Sequence, residues 1–207
     1  MASSWRQPRV EPYTRSDDAA RLELGCGPNK LHPDAIGVDV LDLPGVDIVG
    51  PIPDVLTDLD DASVDVIFTR HFLEHVDSLT GVVAECARLL RPGGRLIAIT
   101  PHFANPHFYS DPTHRTAFGL YTMSYLALDD LHRRAVPRYV EHDEDVRFRL
   151  VSVDLHFDRS LRRPVGYLLG RAMEAACRRS SRWREFYEYR LAWLFPCHEL
   201  RYELERR

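Results

Sequence analysis

The stretch RLELGCGPNKLHPDAIGVDV, residues 21–40, decides how the chain is read. RLELG has a short apolar run that ends at a glycine, the pattern of a buried strand followed by a tight turn. AIGVDV repeats the pattern and closes on an acid, Asp39. A glycine turn after the first strand of a parallel sheet lets backbone approach a ligand at the carboxyl edge. The dinucleotide fingerprint G-x-G-x-x-G is not met, because Lys30 stands where its third glycine belongs. Asp39 follows Gly25 by only 14 residues, where a dinucleotide site places its acid about 20 on. A carboxylate there can still accept two hydrogen bonds from a ribose diol. The combination suits a nucleoside without a pyrophosphate.

Outward from this core, strands and helices alternate. VDIVG (46–50) and SVDVIFT (63–69) predict the third and fourth strands, and RLIAIT (95–100) the fifth. SLTGVVAECARLL (78–90) has apolar residues at helical spacing. Arg91-Pro92-Gly93-Gly94 is expected to stop that helix and turn the chain. RFRLVSVDLHF (147–157) and HELRYELE (198–205) predict strands six and seven, with helices over VGYLLGRAMEAAC and REFYEYRLAWLF between them. The fold class is therefore α/β: a Rossmann-like, mostly parallel seven-stranded sheet with its last strand antiparallel and helices on both faces. Residues 1–18 read as a polar tail and 19–207 as a single domain. Segments 101–146 and 158–196 are expected to cover the site at the sheet edge.

Composition narrows the function. The chain has 207 residues, 44% hydrophobic and 28% charged, enough for one domain with a sizeable core. A formal net charge of −4 gives no global attraction to nucleic acid. Residues 39–65 are rich in Asp and lack Lys and Arg, whereas Arg159 to Arg184 hold eight arginines, read mainly as a solvated helix face. Cys26, Cys86, Cys177 and Cys197 include no C-x-x-C pair, which suits a reducing compartment and excludes a thiolate zinc cage. No apolar run suits a signal peptide or a membrane span, so a cytoplasmic protein without a membrane partner is expected.

Four motifs in order, LELGCGPNK, IGVDV, SVDVIFTRHFLEHV and LLRPGGRLIAITP, make the chain resemble the class I S-adenosylmethionine-dependent methyltransferases. It looks most like the small bacterial branch acting on sugars and other metabolites. The resemblance covers about Arg21 to Tyr125 and, more faintly, the C-terminal strands. It implies S-adenosylmethionine as cofactor and methyl transfer to an oxygen or nitrogen of a small molecule. Glu23, Gly25, Cys26 and Gly27 would form the turn around the methionine part of the cofactor, Asp39 would hold the ribose and Val40 would lie beside the adenine. Thr69, Arg70 and His71 would line the cofactor near its sulfonium. The family's acid after strand three is displaced by Gly50-Pro51-Ile52-Pro53, which moves the adenine contact to Asp54 and Val55.

The segment after strand five offers His102, Asn105, His107, Tyr109, Asp111 and His114. His102, Asn105, His107 and Tyr109 are candidate acceptor contacts. His114, in a phrase DPTHR that resembles the family's at this point, is the first candidate general base, with His71 second. A second reading of Asp111 and His114 is that they lock each other in a loop turn. Another is a metal held by His102, His107 and Asp111, whose spacing fits no recognised motif.

His71-Phe72-Leu73-Glu74-His75 also matches H-x-x-E-H, the zinc-peptidase pattern. A hydrolase built on it would need a helical scaffold and a third ligand, and would leave the glycine turn and Asp39 without a role. His75 on its own is expected to be a helix-start histidine bonded to backbone. A same-fold enzyme that uses the cofactor for cyclisation or decarboxylation is the other alternative. The reading that employs the most residues uses no metal.

Overall fold

The computed structural model describes residues 19–137, 147–157 and 164–207; the polar tail 1–18 and parts of both covering segments lie outside them. Seven strands, β1 (Arg21–Leu24), β2 (Ile36–Asp39), β3 (Ile48–Val49), β4 (Val64–Arg70), β5 (Leu90–Pro101), β6 (Phe148–Phe157) and β7 (Cys197–Arg206), form one sheet in the order β3-β2-β1-β4-β5-β7-β6. β1 to β5 run parallel, and β7 lies antiparallel between β5 and β6. The order reverses on either side of β1 and β4, which puts a ligand crevice at their carboxyl ends.

The α-helices are α1 (Leu79–Leu89), α2 (Pro164–Arg179) and α3 (Ser181–Arg190). Ser78 caps α1, its Oγ accepting from Gly81 N at 3.1 Å. Val82, Val83, Cys86 and Leu89 give α1 one apolar face, and all four are buried in the main core. The chain leaves α1 straight into β5, so that strand starts at Leu90, paired with Val64, and precedes the expected Arg95. The connections from β1 to β2 and from β2 to β3 contain turns and no α-helix. In the first of these the buried Glu23 carboxylate accepts from Leu31 N and His32 N, both at 2.9 Å.

The two faces of the sheet differ. Leu22, Ile67, Leu96, Leu204 and Leu150 stand in register across it, all buried, on the face that meets α1. On the other face Val66, Phe68 and Ile97 form a small separate cluster, with the His32 ring stacked on Phe68 at 3.6 Å. Beyond it β5, β7 and β6 carry charges: Arg95 pairs with Glu203 (3.3 Å) and Glu205 (2.8 Å), and Arg201 pairs with Glu203 (3.2 Å). An antiparallel section tolerates a polar face, as a wholly parallel sheet does not.

Candidate functional site

The glycine turn leaves β1 at the crevice. Gly25 and Gly27 have φ of +65° and +55°, a region where side chains are strained. Asp39, at the tip of β2, braces the turn: its Oδ2 accepts from Gly27 N at 2.9 Å and its Oδ1 from Leu41 N at 3.0 Å. Each carboxylate oxygen keeps a lone pair for a further donor. A Cβ built on Gly27 meets nothing within 4 Å, so the ground above the turn is open. Val40 beside Asp39 is exposed, and Val55 sits against Gly50, whose N donates to Asp39 O at 2.9 Å. Asp54 opens the 3₁₀ turn Asp54–Asp58 next to it. Cys26 is a buried thiol pushed up by burial and by the charges of Asp39 and Glu23, hence neutral. The turn, the spare acceptors on Asp39 and the open ground fit a nucleoside with an amino-acid arm.

The end of β4 supplies the second wall. Thr69 is buried with an unpartnered Oγ1, and Arg70 Nη2 lies 3.5 Å from Glu199 Oε1. His71 takes φ +50°, outside helical geometry. Its Nε2 meets Glu199 Oε1 at 2.8 Å and its Nδ1 meets Glu74 Oε1 at 3.3 Å. Burial alone would push this imidazole down, but hydrogen bonds to the two carboxylates outweigh it and hold it at about 9. In return Glu199, which burial would raise, is held at about 2 by His71. His71 is thus a cation at neutral pH with both nitrogens engaged, which is the wrong state for a proton acceptor.

The segment after β5 divides into residues that hold the loop and residues that face out. His102 is fully buried: Nδ1 accepts from Ala104 N at 3.0 Å and Nε2 lies 3.3 Å from Glu188 Oε2. Asn105 donates to His198 O at 3.0 Å and accepts from His107 N at 2.9 Å. Both were expected to touch an acceptor, and both instead spend their polar atoms on loop geometry. His107 faces outward. So does Tyr109, 62% exposed, its ring 6.4 Å from that of Trp193. His114 Nδ1 donates to Phe108 O at 2.8 Å, while Nε2 lies 3.8 Å from Asp111 Oδ2. Asp111 Oδ1 accepts from Thr113, and Asp111 O accepts from His114 N at 3.4 Å, so the two residues share a loop turn through the backbone.

The H-x-x-E-H match does not form a helix, since residues 71–77 are turn and bend and α1 starts only at Leu79. His71 and His75 therefore do not share a helical face. His75 also departs from expectation: it is half-buried and its Nδ1 meets a side chain, Thr113 Oγ1, at 2.8 Å. His102, His107 and Asp111 do not form a ligand cluster. Among the described residues Glu74, His75 and His114 do, with ligand-type atoms all within 4.8 Å of one another.

Sequence reasoning missed Glu199, Glu188 and Trp193. Glu199 lies 128 residues from His71 in sequence, and the antiparallel insertion of β7, which pairs Glu199 with Pro101, brings it to the crevice; Trp193 is likewise distant in sequence from Tyr109. Nothing local in HELRYELE marks that glutamate.

Comparison with known proteins agrees with this geometry. Residues 44–98 match a family model described as a methyltransferase domain. No curated protein matches the chain in sequence. A S-adenosylmethionine-dependent methyltransferase from Archaeoglobus fulgidus superposes with a TM-score of 0.61 at 18% identity, over 91% of this chain and 87% of that one. A putative sarcosine dimethylglycine methyltransferase from Galdieria sulphuraria gives 0.52 at 15% identity, over 90% and 78%. A putative methyltransferase from Bacillus halodurans gives 0.50 at 11% identity, over 93% and 94%. At these identities the superpositions establish the fold, and the domain match falls on its central strands. The chain thus has the Rossmann-like methyltransferase fold, and the methyltransferase-domain match over residues 44–98 marks an enzyme with S-adenosylmethionine as its cofactor.

Proposed function

We propose that the chain methylates an oxygen or nitrogen of a small-molecule metabolite by in-line displacement at the crevice above β1 and β4. The observation that carries this reading is one shared edge: the Gly25–Gly27 turn braced by Asp39 faces the ends of β4 and β5, where polar and aromatic side chains converge. Bound there, the cofactor supplies an already activated methyl group. Glu23, Gly25, Cys26 and Gly27 shape the turn for its methionine part, Asp39 takes the ribose, and Val40, Asp54 and Val55 border the adenine. Thr69, Arg70 and His71 line the reacting side. His71 contributes a fixed cation, neutralised by Glu199 and Glu74, and positions the wall rather than moving a proton.

A hydroxyl acceptor sheds a proton on methylation. With Nδ1–H donated to Phe108 O, Nε2 is the nitrogen His114 has to take up that proton, and His114 is the candidate base of this segment in the metal-free chain. His107 and Tyr109 are the acceptor contacts, and His102 and Asn105 position their loop. Four free cysteines, all buried, favour work in a reducing, cytoplasmic setting.

The test is incubation with methyl-labelled S-adenosylmethionine and a panel of phenols, sugars, amines and carboxylates. Label should move to one class, and with a hydroxyl acceptor His114→Asn should lower kcat by about 10²–10⁴-fold. Cofactor turnover with no methylated product would replace this reading with non-methylating chemistry.

A further inference from the structure

We propose that Glu74, His75 and His114 bind a divalent transition ion of the zinc type, which fastens the turn after β4 to the loop after β5. The sequence reading assigned no metal, and the inference goes beyond methyl transfer and does not depend on it.

The hydrogen bonds fix which nitrogen of each imidazole carries the shared proton. Thr113 donates its hydroxyl proton to Asp111 Oδ1 at 2.6 Å, so its oxygen must accept from His75 Nδ1–H at 2.8 Å. His114 Nδ1 likewise faces a carbonyl, Phe108 O, which only accepts. With Nδ1–H so engaged, the nitrogen each ring can offer a metal is Nε2. Glu74 is fully buried; its Oε1 meets His71, and its Oε2 has no hydrogen-bond partner. Each of the three residues offers one ligand-type atom, and these atoms lie within 4.8 Å of one another. A divalent ion at the centre would satisfy the unpartnered Glu74 oxygen and both imidazoles at once.

The surroundings also match a metal site. Metal-binding histidines commonly donate their other N–H to a carbonyl or a bonded oxygen, and ligating carboxylates are themselves hydrogen-bonded. Phe108 O, Thr113 Oγ1 and His71 fill those places here. Two imidazoles and one carboxylate favour zinc-like ions over magnesium or calcium and leave a fourth position open. Bonds of about 2.0–2.1 Å need ligand atoms about 3.4 Å apart, so the side chains close in by roughly an ångström. The backbone is already joined, Arg115 N and Thr116 N donating to Glu74 O at 2.7 and 3.2 Å. A bound ion takes the His114 Nε2 lone pair, which then serves as a ligand and not as a base.

The full chain is stripped with chelator, loaded with zinc chloride, gel-filtered and assayed for metal, without acceptor present. The expected result is one zinc per chain in wild type and in His107→Asn, a histidine outside the cluster. His75→Asn and His114→Asn, both partly exposed positions checked for folding by circular dichroism, should weaken zinc by at least about 100-fold, the upper end of what a lost supporting partner costs. No retained zinc in wild type, or retention in both variants equal to wild type, overturns the site. Titration of the same samples with S-adenosylmethionine keeps the two readings apart: cofactor binding without zinc defeats this inference alone.

Discussion

A Cβ built on Gly25 would lie 2.6 Å from the Phe72 side chain, on a residue whose φ is already +65°. Gly25→Ala therefore meets two obstacles, and the backbone one alone costs about 1–3 kcal/mol. The variant should unfold at lower urea than wild type and lose cofactor affinity. Adding Phe72→Gly should restore part of the affinity, since it removes the overlap, the Phe72 Cβ at 2.6 Å included, and leaves the strain; a double variant no better than the single one would show that the contact is irrelevant. At this scale the sequence was legible wherever backbone decides. Gly25, Gly27 and Asp39 follow from strand, turn and acid in order. His71 was legible as a position and not as a state, because its charge depends on Glu199, brought in from the far end of the chain. His102 and Asn105 stand as candidate acceptor contacts in the sequence, and their loop-holding role is hidden there for the same reason: their partners Glu188 and His198 are distant in sequence.

The element that follows β5 has little regular structure and is held by side chains. Asp129 is its clasp, accepting from Leu131 N at 2.8 Å, His132 N at 3.2 Å and His132 Nδ1 at 2.7 Å, with Ser124 Oγ a further donor. Burial would raise the Asp129 carboxyl, but the bonds from His132 and Ser124 prevail and hold it at about 2. A carboxyl lower in the folded chain than in the unfolded one stabilises at pH above the unfolded value, about 3.9, and loses that contribution as pH falls toward 2. Asp129→Asn should thus lower the melting temperature at pH 7, with a gap to wild type that closes on acidification from about pH 4. A gap independent of pH would locate the effect in shape instead of charge. Periodicity revealed α1 and the strands, because each buries a face against the core. It gave no access to this clasp, whose stability comes from hydrogen bonds.

Across the whole molecule, the sheet separates an apolar side from a charged one, and adjacent residues of β5 sample both. Leu96 is fully buried, whereas Arg95 is paired with Glu203 and Glu205 at the half-open surface. Leu96→Ala should cost about 2–5 kcal/mol in urea unfolding. Arg95→Ala should cost about 1 kcal/mol or less, and less still in high salt. Equal costs would mean that the polar face is sealed as tightly as the core. The mostly parallel seven-stranded sheet and the antiparallel β7 were readable from alternation and family resemblance, while the charged ladder emerges only when Arg95, Glu203 and Glu205 are brought side by side.

All of these scales meet at the cofactor crevice, and calorimetric titration of S-adenosylmethionine and its demethylated product tests it most directly. Wild type should bind both at one site per chain. Asp39→Asn, folded by circular dichroism, should bind about 10- to 100-fold more weakly, the value of a charged hydrogen bond. Absence of binding to wild type, or equal binding to the variant, would contradict the assignment of this crevice to the cofactor.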